Sequence, residues 1–351
     1  MSQKAGGLDA PTLRRLGEFL HQQGITPSPL VEATLLTGGQ SNPTYKLASA
    51  GEQFVLRKKP VGDLLPSAHA IDREYRVMKA LAATPVPVPD MLLYCEDAGL
   101  IGTPFYVMPF LQGRVFFDQT LPGMSSNDRT QIYRQMNDAM AQLHRVDPTA
   151  VGLADFGKAG NYFARQIRRW SQQYLDNHTD RIPSLENLIE WLPTRVPQDD
   201  LISIVHGDYR LDNVMLHATE PRVIAVLDWE LSTLGHPLAD FSYHCMSWHI
   251  PPSLWRGIGG LDLASLGIPS EADYVQQYVS TTGYEGVQAH WDFYLAYNFF
   301  RIAAILYGIG ERAKQGTAAA VDAMDMAAKA QPLADIGWRY AQKYQSNHAG
   351  R

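Results

Sequence analysis

Ile204-Val205-His206-Gly207-Asp208-Tyr209-Arg210-Leu211-Asp212-Asn213-Val214-Met215-Leu216 reads as a short apolar strand, a polar loop and a second apolar strand. Fifteen residues after Asn213 stands Asp228, at the end of another apolar run, Val223-Ile224-Ala225-Val226-Leu227. A carboxylate, an amide and a second carboxylate are each fixed at the end of a buried strand. Phosphoryl transfer needs such a set: one acid to orient a hydroxyl, and an Asn with an Asp to hold Mg²⁺.

Upstream, the pattern is that of a small antiparallel sheet. Residues 9–23 form an amphipathic helix with Leu13, Leu16, Phe19 and Leu20 on one face, stopping at Gly24. Strands follow at Val31–Thr37, Pro43–Ala48 and Gln53–Lys58. The Gly38-Gly39-Gln40-Ser41-Asn42 turn is rich in residues that accept φ > 0, so it can offer N–H groups to an anion or serve only as a hairpin. Alternation along Phe54–Lys59 puts Val55, Arg57 and Lys59 on one face. That face reads either as a solvated edge strand or as cations aimed at phosphates. A helix over 68–83 carries Glu74 between Arg73 and Arg76, and strands at Met91–Cys95 and Pro104–Phe110 flank the turn Asp97-Ala98-Gly99.

After Gln112-Gly113 the pattern turns helical, which sets the boundary of a first domain, 1–110, against a second, 111–351. Helices are expected at 126–146, 161–178, 184–192, 238–248, 271–280, 290–312 and 318–345, with Ser270 and Asp273 as an N-cap pair. The Pro- and Gly-rich stretch 250–269 reads as a loop insertion.

Composition bounds the rest. The chain's 351 residues exceed one ordinary core and suit two lobes. A hydrophobic content of 45% with 19% charged residues is that of a globular protein, and a net charge of −6 argues against nucleic acid as partner. No apolar run reaches the length of a membrane span, and the first seven residues lack an apolar signal core. Cys95 and Cys245 form no CxxC pair, and the histidines show no metal-ligand spacing. A reducing, cytoplasmic setting is the expectation.

Taken in order, these motifs resemble the aminoglycoside phosphotransferase (APH) family of kinase-like small-molecule phosphotransferases along nearly the whole chain. Within it the pattern is closest to the kinase-like domain fused to certain acyl-CoA dehydrogenases and its free-standing bacterial relatives. The resemblance implies an α+β, bilobal protein-kinase-like fold, with a small antiparallel-sheet N-lobe and a larger, mainly helical C-lobe. It implies ATP and Mg²⁺ as cofactors and a small-molecule hydroxyl as acceptor. Gly38, Gly39, Ser41 and Asn42 then resemble the nucleotide-covering loop, Arg57 the phosphate-binding strand cation and Glu74 its helix partner. Val107–Gly113, with Met108 and Phe110, resembles the hinge whose backbone receives adenine. His206-Gly207-Asp208-x₄-Asn213 resembles the catalytic loop and Leu227-Asp228-Trp229-Glu230 the metal segment.

In this reading Asp208 is the catalytic carboxylate, and Asn213 and Asp228 are the metal ligands. His206 is structural, Asp240 braces the loop through backbone N–H groups, and Asp212 has no assigned role. Arg57 stands where kinases carry Lys; it keeps the charge but leaves the ion-pair geometry with Glu74 open.

Eleven residues separate Asp228 from Asp240, too few for a peptide-docking activation segment, which favours a small-molecule acceptor. Residues 241–351 hold nine acidic against eight basic side chains, which speaks against a polycation. The resemblance suggests a hydroxyacyl-CoA as acceptor. An aminoglycoside or other hydroxylated amine is the alternative, and a nucleotide-binding pseudokinase is the alternative of another class.

Overall fold

The computed structural model describes residues 8–30, 32–36, 42–60, 70–176, 181–199, 201–316 and 322–349. Gly38, Gly39 and Ser41, and the ends of the expected first strand, Val31 and Thr37, lie outside them. The chain forms two compact units: 1–114 with 215–220 and 224–232, and 115–214 with 221–223 and 233–351. The boundary expected at 110/111 differs in kind from this division. The two later segments pack with the first unit, a three-dimensional association that no change in composition marks.

The first unit opens with α1 (Ala10–Gln22), N-capped by Asp9 with Pro11 in its first turn. Strands β1 (Glu32–Leu35), β2 (Thr44–Ser49) and β3 (Glu52–Lys58) follow, then α2 (Ile71–Leu81), β4 (Leu93–Cys95), the one-turn α3 (Ala98–Ile101) and β5 (Phe105–Pro109). Asp97 caps α3 and Gly102, at φ +87°, ends it, so the expected tight turn here is a short helix. The antiparallel sheet runs β1-β2-β3-β5-β4. Its core face (Leu47, Phe54, Leu56, Phe105 and Val107) packs on Leu16 and Leu20 of α1. Each such side chain contributes about 1.5–3 kcal/mol on burial. Because β3 is the central strand, the edge-strand reading of Arg57 is wrong: the guanidinium sits in the middle of the sheet.

A two-residue strand β6 (Gly113–Arg114) comes next and later pairs with β8. The second unit then begins with α4 (Ser126–Arg145), α5 (Tyr162–Leu175) and α6 (Pro183–Trp191), and β7 (Ser203–Val205) leads into the loop 206–213. β8 (Val214–His217) and β9 (Val223–Val226) follow and complete the sheet β6-β8-β9. β10 (Thr233–Gly235) pairs with β7, and α7 (Pro237–Cys245) is buried along its whole length.

The remaining helices are α8 (Leu263–Leu266), α9 (Glu271–Thr282), α10 (Val287–Lys314), α11 (Ala323–Ala327) and α12 (Ala330–His348). Ser270 caps α9 as expected, its side chain accepting from Asp273 N. The single helix expected over 318–345 is two helices within the described residues. The 250–269 stretch is a loop that carries the short α8. One correction concerns α10, which is long and apolar enough to cross a membrane. Its most apolar 18-residue window is 83% buried, spent on aromatic packing such as Phe163 against Phe293, Tyr294 and Tyr297.

Candidate active site

In the first unit, charge gathers around Arg57. β3 aims its guanidinium at α2, where Nε lies 2.9 Å from Glu74 Oε2 without hydrogen-bond alignment. Glu74 is 1% exposed and also accepts from Asn42 Nδ2 at 2.8 Å and Tyr106 OH at 3.0 Å. Burial pushes the Glu74 carboxyl up, against the pull of Arg57 and Tyr106. Arg57 remains a cation, because the carboxylates of Glu74, Asp228 and Glu230 outweigh its own desolvation. The Arg-for-Lys replacement therefore preserves the strand–helix ion pair. Glu74 is not a surface residue among Arg73 and Arg76; its partner is seventeen residues upstream. The Asn42 side chain is buried on the same carboxylate.

Arg57 Nη2 also donates to Asp228 Oδ1 at 3.1 Å and comes within 3.9 Å of Glu230. Asp228 follows β9 with φ +62°, a left-handed conformation that Asp tolerates better than most residues, and it starts the 3₁₀ turn Trp229–Leu231. The buried Trp229 anchors that turn by donating to Val226 O at 2.9 Å. The Asp228 side chain is 37% exposed, with Oδ1 on Arg57.

At the hinge, Met108 pairs with Val55 in the sheet. Phe110 N–H donates to Gln53 O at 3.0 Å, and Pro109 has no N–H. Backbone donors for an adenine therefore do not come from Pro109 or Phe110. What these residues offer is carbonyl oxygen and the Phe110 ring, over which Lys46 Nζ sits at 4.5 Å.

The second unit holds the loop with Asp208. Gly207 has φ +82°, which glycine adopts without strain. This lets two consecutive N–H groups turn onto one carboxylate: His206 N donates to Asp240 Oδ2 at 2.6 Å and Gly207 N to Oδ1 at 2.9 Å. Asp240, 3% exposed on α7, also contacts His144 Nε2 at 3.3 Å. Burial would raise its pKa, but the hydrogen bond from His144 and the backbone N–H donors lower it overall. The bracing role expected of Asp240 is what its contacts show. His206 is fully buried, and its Nδ1 accepts from Asp208 N at 3.3 Å, a structural use.

Asp208 itself is held from both sides. Tyr243 OH donates to Oδ1 at 2.7 Å, and Arg210 Nη2 lies 3.2 Å from Oδ2. Asn213 Nδ2 donates to Asp208 O at 2.8 Å and to Oδ2 at 3.2 Å. That commits the amide nitrogen and leaves the amide oxygen as the atom available to a cation. Asn213 Oδ1 in this unit and the Asp228 carboxylate in the first unit are each a hard oxygen donor of the type Mg²⁺ takes alongside phosphate and water, so each by its own chemistry fits that ion.

Sequence reasoning gave Tyr243, Arg210 and Tyr106 no part in holding the two carboxylates. A signal existed for Tyr243, which lies three residues after Asp240 on α7 and so shares its face. Arg301 of α10 supports it, with the guanidinium 5.2 Å from the Tyr243 ring centroid and Nη2 donating to Gly207 O at 2.9 Å. Beside Tyr243 is a pocket lined by Gln119, Arg210, His244, Met246, Ile250, Trp255 and Arg256. Its charged side chains are two arginines; burial pulls His244 down to about 4, so it is neutral. Tyr243 and Trp255 line this pocket, whereas Tyr294 and Tyr297 are core.

The sequence matches the model of the APH phosphotransferase enzyme family over residues 32–289. It is 46% identical over 307 residues to acyl-CoA dehydrogenase family member 10 of Mus musculus, a match covering 87% of this chain and 29% of that protein. The chain thus spans less than a third of that relative's length. A crystal structure of a candidate aminoglycoside phosphotransferase from Ralstonia eutropha is 53% identical, with a TM-score of 0.86 over 94% of this chain and 98% of that one. Aminoglycoside phosphotransferase APH(4)-Ia, solved with AMP-PNP and hygromycin B, shares the fold at 17% identity and a TM-score of 0.60, over 93% of this chain and 98% of that one. With the family model matched over most of its length, and with a kinase-like fold, the chain belongs to the APH phosphotransferase enzyme family.

Proposed function

We propose that this chain transfers the γ-phosphoryl group of ATP to a hydroxyl of a small molecule. The observation that carries the reading is Asp208, oriented through both oxygens on a loop that Asp240 braces through its own backbone. Asp208 accepts the hydrogen bond of the acceptor hydroxyl and takes its proton as the O–P bond forms. Arg57, steered by Glu74, binds the nucleotide phosphates. Asn213 and Asp228 would hold Mg²⁺, which supplies charge neutralisation on the transferring phosphates. The nucleotide analogue bound by the structural relative APH(4)-Ia supports ATP as donor.

For the acceptor, we favour a hydroxyacyl thioester such as a 4-hydroxyacyl-CoA. The likeness to an acyl-CoA dehydrogenase family member supports this choice. So does the pocket beside Tyr243, where an apolar wall of Met246, Ile250 and Trp255 meets Arg210 and Arg256. Two guanidiniums there disfavour a polycationic aminoglycoside. The test is ADP release with Mg²⁺-ATP against hydroxyacyl-CoAs, hydroxy acids, sugars, choline-like alcohols and aminoglycosides, with Asp208→Asn as control and mass spectrometry of the product. A phosphorylated acceptor that depends on Asp208 is the expected result. ATP binding without transfer to any of them would instead support a pseudokinase.

A further inference from the structure

Asp212 lies inside the catalytic-loop motif, yet neither metal binding nor base chemistry uses it. Its Oδ2 is shared by two cations: Arg210 Nη2 at 3.2 Å and Arg256 Nη1 at 2.7 Å. Arg210 Nη2 in turn reaches Asp208 Oδ2 at 3.2 Å. Four groups of alternating charge thus run Arg256, Asp212, Arg210, Asp208. Asp212 is 11% exposed, so the middle of the chain is shielded from the solvent screening that weakens surface pairs.

The far end of this chain belongs to the loop 250–259, which is a built element. Ile258 N donates to Ser247 O at 2.8 Å and Gly259 N to Ile250 O at 2.9 Å. Any side chain at 257 would collide with Ile250 O, since a Cβ there falls 1.8 Å from it. The loop therefore has a fixed shape, and it contributes Ile250, Trp255 and Arg256 to the pocket beside Tyr243.

We infer that Arg256 and Asp212 are positioning residues that tie this loop to the catalytic carboxylate through Arg210, so that the wall of the acceptor pocket and the orientation of Asp208 are set together. The inference rests on the proposed phosphotransfer only for its kinetic consequence; the mechanical link is independent of it. Without Arg256, Asp212 draws Arg210 away from Asp208, and the base loses the contact on Oδ2 while Tyr243 still holds Oδ1. Arg256 meets Asp212 through one nitrogen, so a lysine can replace it, unlike at a bidentate site.

Hydrogen exchange on the full chain without ligand reads the link directly. Arg256→Gln and Asp212→Asn are expected to raise exchange several-fold at amides 207–213 as well as in 250–259, and Arg256→Lys to restore protection. Loss of protection confined to 250–259 would overturn the inference. The kinetic arm uses Mg²⁺-ATP with a 4-hydroxyacyl-CoA. Arg256→Gln is expected to lower kcat about 5- to 10-fold with KM for ATP unchanged, and adding it to Asp212→Asn to cost nothing more. Effects that multiply, or a wild-type kcat in Arg256→Gln, would count against the link. If the wild-type chain does not turn over the thioester, that choice of acceptor fails and the exchange result alone decides this inference.

Discussion

The two charged clusters solve opposite problems. Around Arg57, one guanidinium serves Glu74, Asp228 and, more distantly, Glu230, and the exposed end of the set is a carboxylate. Around Asp208, guanidinium, amide, phenol and backbone N–H groups are directed at Asp208 and Asp240. In the proposed reaction the first cluster receives a cation and phosphates. The second is arranged to hold one carboxylate still. A buried carboxylate that lacks donors is expensive, so the second cluster should be the more sensitive to deletion, and the first the more sensitive to ligand.

Asp208→Asn removes the only step that needs a base, so transfer should fall by about 10²–10⁴ while the melting temperature stays within a few degrees. ADP release and thermal melts check both halves of that contrast. A large loss of stability would mean that Asp208 is as structural as Asp240.

Asp240→Ala strands two N–H groups and His144, and should cost about 3–5 kcal/mol in denaturant unfolding. Its pH dependence carries a defined sign. The folded pKa lies below the ordinary 3.8, so the contribution is complete above that value and is lost as pH falls through the lowered one. The wild-type chain should therefore lose this increment only below about pH 4, and the variant should lack it throughout.

His244 acts in the next pH window up. Its folded pKa is about 4 against an ordinary 6.5, because burial disfavours the charged ring. Between those values the unfolded chain binds the extra proton, so stability falls as pH drops from 6.5 towards 4, by up to about 3 kcal/mol. Unfolding measured across that range should show the decline, and His244→Gln should flatten it.

The smallest effect is expected in the first unit. Glu74→Gln keeps the bond from Tyr106 but releases Arg57 towards Asp228, and should raise KM for ATP about tenfold with a lesser change in kcat. If kcat falls as much as it does in Asp208→Asn, the division of labour between the clusters is wrong.

The helices and strands were largely legible because their signals are local. Period-two alternation marks β3, Ser270 announces a helix start, and each apolar run before the loops became a buried strand. Where local reading failed, a distant partner was the cause. Arg57 could be read as an edge residue until β5 paired on the far side of β3.

By itself the sequence determined the identity and order of the chemical groups: Asp208, Asn213 and Asp228 at strand ends. The spacing of such a motif is a property of consecutive residues, so it can be read without a fold. Tertiary structure alone decided which donors hold those groups. Tyr106 and Asn42 reach Glu74 across 32 residues, Tyr243 reaches Asp208 across 35 and Arg256 reaches Asp212 across 44. Hydrogen bonds and ion pairs act over about 3 Å of space and carry no trace of chain separation, so only packing could reveal that an unassigned aspartate and a loop arginine are linked through Arg210 to Asp208.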